Sequence, residues 1–455
     1  MRSALQLSRI AFSMLLLASF AKPVAAQESL LLSEPFKHGH TTKVEVQVKL
    51  TGKLSLPPTE KGKSAQLVPV TGTSKLTYEE RLLKPETDEL AEDKTLLKTI
   101  RVYRDVSFER IVGEVKQDAG IRPSVRRMVL VRSGNRKAPF SPDGPLTWGE
   151  IDVVRTDVFN PALVPGLLPS APVKPGQSWK ASAVAVAELT DLEQVEAGDI
   201  TVEFVGVAKL NDRRLARLKL NGTVRGVNLD GPSRQKIEGT AYFDLDANLL
   251  HYLSVKGTHE LLDGKGQTLG VVEGQFTMTR SAVAKMPADL SDASLRDVTL
   301  TRTPENTLLL YDNEDLGVRF LYARGWRVGA VQGKQVTLDH ARGAGLLITI
   351  ESPAKVPSAD DYLKEVSGFL AKQKAQISAT EKPVRLRAEP VQLDRFSIDA
   401  TIGSDKVRLE YAVLKQTDGG VTIAARLPAD DTSVRPEVTR IVRSLSVTKK
   451  IEERK

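Results

Sequence analysis

Apolar residues recur at every second position over much of this chain. Residues 41 to 56 alternate strictly, with Val44, Val46, Val48 and Leu50 on one face and Lys43, Glu45, Gln47 and Lys49 on the other. That is the pattern of a half-buried strand. Thr51-Gly52-Lys53 reads as a turn into a second strand, and 57 to 74 as a polar loop. Strands resume around 75 to 83, 100 to 116 and 125 to 132, with a charged segment from Lys84 to Lys98 between the first two. Prolines from Pro139 to Pro175 then punctuate a loop, in which Trp148, Ile151 and Val154 predict one short helix near Thr147 to Val158. Leu167-Leu168-Pro169 and the segment Val173 to Trp179 read as a structured crossing into a second β unit. There Ile200, Val202 and Phe204, then Ala216, Leu218 and Leu220, alternate again. Further strands fit 234 to 245, 249 to 260 and 268 to 280, with turns at Gly226, Gly231, Asn248 and Asp263-Gly264. Many strands at regular spacing predict an antiparallel β architecture.

The pattern stops from Ser281 to Asn306, where no apolar face can be drawn. Beyond it, strands fit 317 to 322, 326 to 331, 334 to 339 and 345 to 351. A helix follows, capped by Ser358 with Asp360 and Asp361 in its first turn. Tyr362, Val366, Phe369 and Leu370 give it an apolar stripe. Strands fit 384 to 393, 395 to 402, 406 to 415 and 420 to 427, and a last helix runs from Ser433 to Leu445 with Pro436 in its first turn. The fold class expected is mainly β plus α+β: an antiparallel β-rich N-terminal region, then a C-terminal α+β sandwich.

The first 26 residues change the picture of where the chain works. Arg2 and Arg9 precede a short apolar run from Ile10 to Phe20, and Val24-Ala25-Ala26 offers small side chains. These are the parts of a cleaved secretory signal, with cleavage near Ala26. The run is about half the ~20 residues needed to span a bilayer, and no later stretch is long and apolar enough. The expected division is a signal peptide at 1–26, a β-rich region at 27–284 with a possible split near 170, a linker at 285–306, an α+β domain at 307–448 and a charged tail at 449–455. The expected location is periplasmic or secreted, with no membrane span in the mature form.

Composition narrows the chemistry. The chain has 0 Cys, which removes disulfides, thiolate nucleophiles and Cys-based metal sites. Its formal charge of +8 includes Arg2, Arg9 and Lys22 of the signal, leaving a mild excess suited to anionic envelope polymers or headgroups. Export and an aromatic content of 5% argue against nucleic acid as a partner.

No reactive constellation emerges. His38-Gly39-His40 places two imidazoles on one strand face, short of the three or four ligands of a metal site. His251, His259 and His340 are isolated. Asp244, Asp246 and Asn248 copy the start of a calcium loop, but Leu249 and Val255 stand where Gly and Glu are needed, so a hairpin turn is the better account. Gly62-Lys63-Ser64 resembles the end of a phosphate loop whose first Gly is Pro57. Ser233 and Lys236 fit Ser-x-x-Lys without a partner motif. Asp312-Asn313-Glu314-Asp315 and Asp430-Asp431 read as solvated turns. No catalytic, cofactor-binding or metal-ligating residue is expected, and no cofactor. The one suggestive surface feature is the basic run Arg122, Arg126, Arg127, Arg132, Arg136 and Lys137. It fits a patch for an anionic partner, or more simply a sheet face guarded by charge.

The C-terminal order of elements resembles the PsbP-like family, which includes bacterial DcrB-type envelope proteins. Leu316-Gly317-Val318-Arg319-Phe320, leading through Arg324-Gly325 into Trp326-Arg327, carries the likeness, with the closing Arg443-Ser444-Leu445-Ser446-Val447. The resemblance implies a compact binding or accessory module without a shared active site. The N-terminal region is similar to uncharacterised bacterial secreted proteins through Leu167-Leu168-Pro169 and Gly176 to Trp179. By architecture alone it is also similar to curved-sheet lipoprotein carriers of the LolA type. The function expected is that of an exported, non-enzymatic envelope protein acting on an unknown protein or envelope ligand. The alternatives are a carrier of a lipid or apolar component in the β region, or a metal-dependent hydrolase built on His38 and His40.

Overall fold

The computed structural model describes residues 29–56, 66–228, 231–388 and 390–451. The first half is built on β1 (Thr41–Leu56), β2 (Gln66–Leu83), β3 (Leu97–Val112), β4 (Val115–Ala119), β5 (Arg127–Ser133) and β6 (Arg136–Phe140). A two-residue β7 (Leu146–Thr147) follows, then β8 (Ser178–Lys180), β9 (Gln194–Leu210), β10 (Arg213–Asn228), β11 (Gly231–Asp244), β12 (Leu249–Leu262) and β13 (Thr268–Ala282). All but β7 join one 12-stranded sheet in the order β6-β5-β3-β2-β1-β13-β12-β11-β10-β9-β8, with β4 beside β3. Strands from both sides of position 170 enter it, so the division considered there does not occur. The loop expected at 57 to 74 is also shorter. Val68, Val70, Gly72, Ser74 and Leu76 alternate inward, and β2 begins at Gln66 despite Pro69.

Alternation gives this sheet an apolar inner face, and its glycines let that face curl. A Cβ on Gly222 would lie 2.1 Å from the Asp199 carbonyl oxygen, and one on Gly257 2.3 Å from that of Lys236. Any side chain there would push neighbouring strands apart, so glycine permits the tight coiling. The curl is filled by the chain's own middle segment, α2 (Trp148–Arg155), α3 (Asn160–Leu167) and α4 (Ala183–Thr190). Thr147 and Glu150 form a reciprocal cap on α2, at 3.2 and 2.8 Å. The proline-punctuated stretch thus holds α3 as well as the expected α2. Pro161 sits in the first turn of α3, and Asn160, Leu163, Val164 and Leu167 have no exposed surface. No polar stripe marks this helix, because six of its eight residues are buried.

A fully buried ionic cluster joins the helices to the sheet. Arg101 of β3 donates to Glu80 of β2 at 2.7 Å, to Asp157 at 2.8 Å and to the Val158 carbonyl at 2.9 Å. The Tyr78 hydroxyl donates to the same Asp157, and the guanidinium lies 4.5 Å from the Tyr78 ring centre. Burial pushes the Asp157 carboxyl up against the opposing pull of Arg101. A second guanidinium, Arg280 of β13, makes paired bonds to Glu34 at 2.7 and 2.9 Å, drawing the entering chain across the sheet.

The stretch at 285–306, expected as a linker, packs against the sheet's outer side. It carries α5 (Asp292–Leu295), and Leu290 and Leu295 cover Ile100, Val102, Val129, Val131 and Phe140. Leu83, at the end of β2, joins that cluster, and the charged segment after it folds into a short α1 (Thr87–Glu92).

The second half holds β14 (Leu309–Asn313), β15 (Val318–Tyr322), β16 (Trp326–Gln332), β17 (Gln335–His340) and β18 (Gly345–Glu351). Then come α6 (Ala359–Lys372), β19 (Gln376–Arg387), β20 (Gln392–Ile402), β21 (Asp405–Gln416), β22 (Gly419–Pro428), α7 (Arg435–Ser444) and β23 (Ser446–Val447). Seven strands run β16-β17-β18-β22-β21-β20-β19, an antiparallel sheet carrying helices. Ser358 caps α6 as expected, at 3.1 Å to the Asp361 amide. Of its stripe, Val366 and Leu370 are buried, whereas Phe369 is 60% exposed. The strand expected at 384 to 393 instead spans Gln376–Arg387. Trp326 is fully buried and its indole N–H donates to Glu437 of α7 at 2.9 Å. Gly325 is required before it, since a Cβ there would meet the His340 ring at 2.4 Å.

The two halves are docked. β7 of the first half pairs parallel with β14, completing a small sheet β23-β15-β14-β7. One apolar core runs from Leu32 through α3 into Phe320, Trp326 and Ile441.

Three outcomes follow from this packing. Gly222→Val is expected to destabilise the chain by about 1–3 kcal/mol through overpacking, read as a lowered urea midpoint. Arg101→Met leaves Glu80 and Asp157 buried without their cation, and a loss of about 3–5 kcal/mol is expected in the same measurement. Burial pushes Tyr103, Tyr322 and Tyr362 each up to about 12. The folded chain therefore keeps protons that the unfolded chain releases from about pH 10. Stability present below that pH is lost as pH rises toward 12. Absorbance at the tyrosinate band should show these groups ionising together with unfolding, followed in parallel by circular dichroism.

Candidate functional site

The helices fill only part of the sheet's concavity. Toward one end of β1, β2 and β3, the inner residues Val48, Leu50 and Phe108 are half-buried rather than covered. A cavity of about 390 Å3 opens over them, within the size range of small-molecule sites. Register explains the floor: Val48 lies opposite Ser74, Leu50 opposite Gly72, and Ser74 opposite Phe108. Gly72 keeps the floor low, since a Cβ there would press on Leu50 at 3.0 Å.

The opposite wall is charged. Arg110 of β3 donates to Asp152 of α2 at 3.1 Å and to Gln117 at 2.9 Å. Arg155 donates to Asp191 at 3.2 Å, and Ser74 shares a 3.1 Å hydrogen bond with Thr156. Arg327, from β16 of the second half, stacks on Trp148 at 4.0 Å from its ring centre and closes the rim. Three guanidinium groups and the carboxylates of Glu109, Asp152 and Asp191 thus border the apolar floor. Two of the guanidinium groups are held by carboxylates, and Arg327 is held by an aromatic face. A molecule with an apolar body and an anionic end fits this division. Asp191 belongs to a second network behind the wall, where Arg132 and Lys137 clamp Glu188 at 2.7 and 3.3 Å. Burial alone would push the Lys137 ammonium down, but Glu188 and Asp191 outweigh it and hold it raised.

The structure separates the basic run that the sequence brings together. Arg122 is bound to Glu150 at 2.8 Å and Arg127 to Asp143 and the Ser294 carbonyl. Arg132 and Lys137 point into the curl toward Glu188, while Arg126 and Arg136 are exposed. The six residues therefore do not form one surface. Alternation along β5 sends Arg127 and Arg132 to opposite faces, and only the carboxylates of distant segments reveal which cations are engaged.

His38 and His40 are exposed just before β1. Among the described residues no group of three or more His, Asp or Glu stands in metal-holding geometry. His251 is bonded to the Arg280 carbonyl at 2.7 Å, and His340 lies 3.5 Å from Glu437. Asp244 accepts the amide hydrogens of Asp246 and Ala247 at 3.0 Å each, the hairpin turn expected there. Ser233 faces inward and Lys236 outward on β11, so they do not meet. Pro57 and Gly62-Lys63-Ser64, like the signal segment, lie outside the described residues. The pocket residues themselves were invisible to motif reading. Val48, Leu50 and Phe108 look like ordinary strand positions, and Trp148 and Arg327 are far apart in sequence.

No family model matches the chain, and no curated protein matches it. Parts of it are similar to solved structures. Cyanobacterial PsbP (CyanoP) from Synechocystis sp. PCC 6803 aligns at 17% identity and a TM-score of 0.26, over 31% of this chain and 92% of that one. The Ran-binding protein Mog1p of Saccharomyces cerevisiae aligns at 10% identity and 0.25, over 31% of this chain and 96% of that one. DynF from the dynemicin biosynthesis pathway of Micromonospora chersina aligns at 8% identity and 0.15, over 59% and 90%. TM-scores this low carry no argument about kinship, and the fold class rests on the strand order above.

Proposed function

We propose that the chain is an exported, non-enzymatic binding protein of the cell envelope, and that it holds an amphiphile with an anionic end in the pocket under α2. The observation that carries this is the unfilled part of the concavity, apolar below. There Arg110 and Arg155 are matched by Asp152 and Asp191, and among the described residues Arg327 at the rim is the lining guanidinium not tied to a carboxylate. The charge pattern of residues 1 to 26 supports export. The second half is read as a PsbP-like accessory module, supported by its order of elements and by Trp326 seated under α7. Its contribution of Arg327 makes the site a product of both halves. A purely protein-binding module is the second reading. It is favoured by the edge strand β19 with Val384 60% exposed, and separately by Phe369 of α6 at 60%.

The test uses the purified chain, a naphthylamine fluorescent probe and palmitate as competitor. Saturable probe uptake, displaced by palmitate, is expected. Leu50→Trp or Val48→Trp fills the floor and abolishes uptake, with folding checked by circular dichroism. Arg327→Gln weakens palmitate about tenfold, the scale of one charge-assisted hydrogen bond, and spares the uncharged alcohol. A wild-type chain that takes up no probe overturns the reading, as do floor-filled variants that bind normally.

A further inference from the structure

The outer side of β10, β11, β12 and β13 carries a second concavity, unconnected with the pocket under α2. Here the twist of the four strands dishes a solvent-facing surface, leaving an open depression of about 810 Å3. Register fixes what lines it. Lys219 lies opposite Thr240, Lys236 opposite Thr223, and Lys256 opposite Glu238. Arg217 completes a set of four cations, and Glu238 is the one carboxylate in the lining. Glu238 sits 3.7 Å from Lys256. Among the described residues no ion pair ties Arg217, Lys219 or Lys236 to a carboxylate. This contrasts with the arginine run of β5 and its flanks, where most cations are already engaged.

Two further features narrow the partner. The remaining side chains facing the depression are neutral hydroxyls and amides such as Asn221, Ser254 and Gln275. The aliphatic residues that border it, Leu220 and Ile237, are buried on the other face, so nothing here invites an acyl chain. At one end, Arg217 lies opposite Tyr242, and Tyr242 opposite Tyr252, with the two rings 6.0 Å apart and half-exposed. Tyrosine presents a flat apolar face beside a polar tip, the surface on which the C–H face of a sugar ring rests. Four cations facing one carboxylate select for a polyanion, hydroxyls and amides match sugar hydroxyls, and the tyrosine pair supplies a stacking platform.

We infer that this outer face binds an acidic polysaccharide, with Lys219, Lys236 and Lys256 meeting its carboxylates and Tyr242 and Tyr252 seating a sugar ring. The experiment titrates the full chain with polygalacturonate at low salt, against neutral dextran, inorganic polyphosphate and anionic phospholipid vesicles. Polygalacturonate should bind and dextran should not, and affinity should fall as salt rises. The combined variant Lys219→Gln, Lys236→Gln, Lys256→Gln should lose about tenfold in affinity and show a shallower salt dependence, since three cation–polyanion contacts are removed. Tyr252→Ala should weaken polygalacturonate severalfold and leave polyphosphate unaffected. All substituted residues are surface positions, and unchanged melting curves confirm intact folding. No polygalacturonate binding by the wild type, or equal binding by the lysine variant, overturns the inference. Vesicle binding tighter than polymer binding reassigns the face to lipid headgroups. Tyr252→Ala affecting neither polyanion reduces it to charge adsorption, which also overturns the sugar-binding assignment.

Discussion

A long antiparallel sheet with one apolar face must cover that face, and here the cover is fixed by a buried guanidinium. Arg101 rises from the inner face of β3 and holds Glu80 of the neighbouring strand together with Asp157, in the short segment between α2 and α3. A bare cation at that depth would be strongly unfavourable. Its carboxylates and the Val158 carbonyl offset the desolvation, and only when α2 and α3 lie inside the curl. Such a cluster adds little net stability over a well-packed apolar core. What it does is specify which segment enters the sheet, and at what height. With 0 Cys in the chain, no covalent staple shares this task.

The same constraint accounts for where space remains. Helices α2, α3 and α4 have eight residues each, about 12 Å at 1.5 Å per residue. Strands such as β2, with 18 residues, run to roughly 60 Å when extended. Helices of that length cannot floor the whole concavity. Beyond them the inner face is left to Val48, Leu50 and Phe108, and the second half of the chain supplies Arg327 at the rim. A chain folded to bury every apolar strand residue would have no need of that wall. The docking of the halves through β7 and β14 therefore positions the pocket as well as the domain.

Much of the architecture was legible because alternation is a local signal. The strands β17, β18 and β22 and the cap at Ser358 follow from residues close together in sequence. Strand β1 instead runs straight through Thr51-Gly52-Lys53, expected as a turn, because Gly52 is paired with Val70 on one side and Val272 on the other. What escaped was set by distant partners. Helix α3 reads as loop because Pro161 and Pro165 mask it and because, buried along most of its length, it needs no polar stripe. The packed stretch at 285–306 shows no periodicity, yet Leu290 and Leu295 suffice to cover an outer apolar patch that itself looks like an ordinary strand face. The pocket was unreadable for the same reason, since its lining comes from β1, β2, β3, α2 and β16.

Charge illustrates the difference most sharply. The densest basic run in the sequence, Arg122 to Lys137, is largely engaged by Glu150, Asp143 and Glu188, so proximity in sequence overstated the free charge. Lys219, Lys236 and Lys256 are spread over three strands and form no run at all. Neighbouring strands lie about 4.8 Å apart, so pairing in register gathers the three onto one face, with Glu238 the one carboxylate in the depression and Glu203 opposite Lys219 at its border. In a sheet protein, the cations available to a partner are therefore found by following register across strands. Those adjacent along the chain alternate between faces, and here half of that alternation leads into the interior.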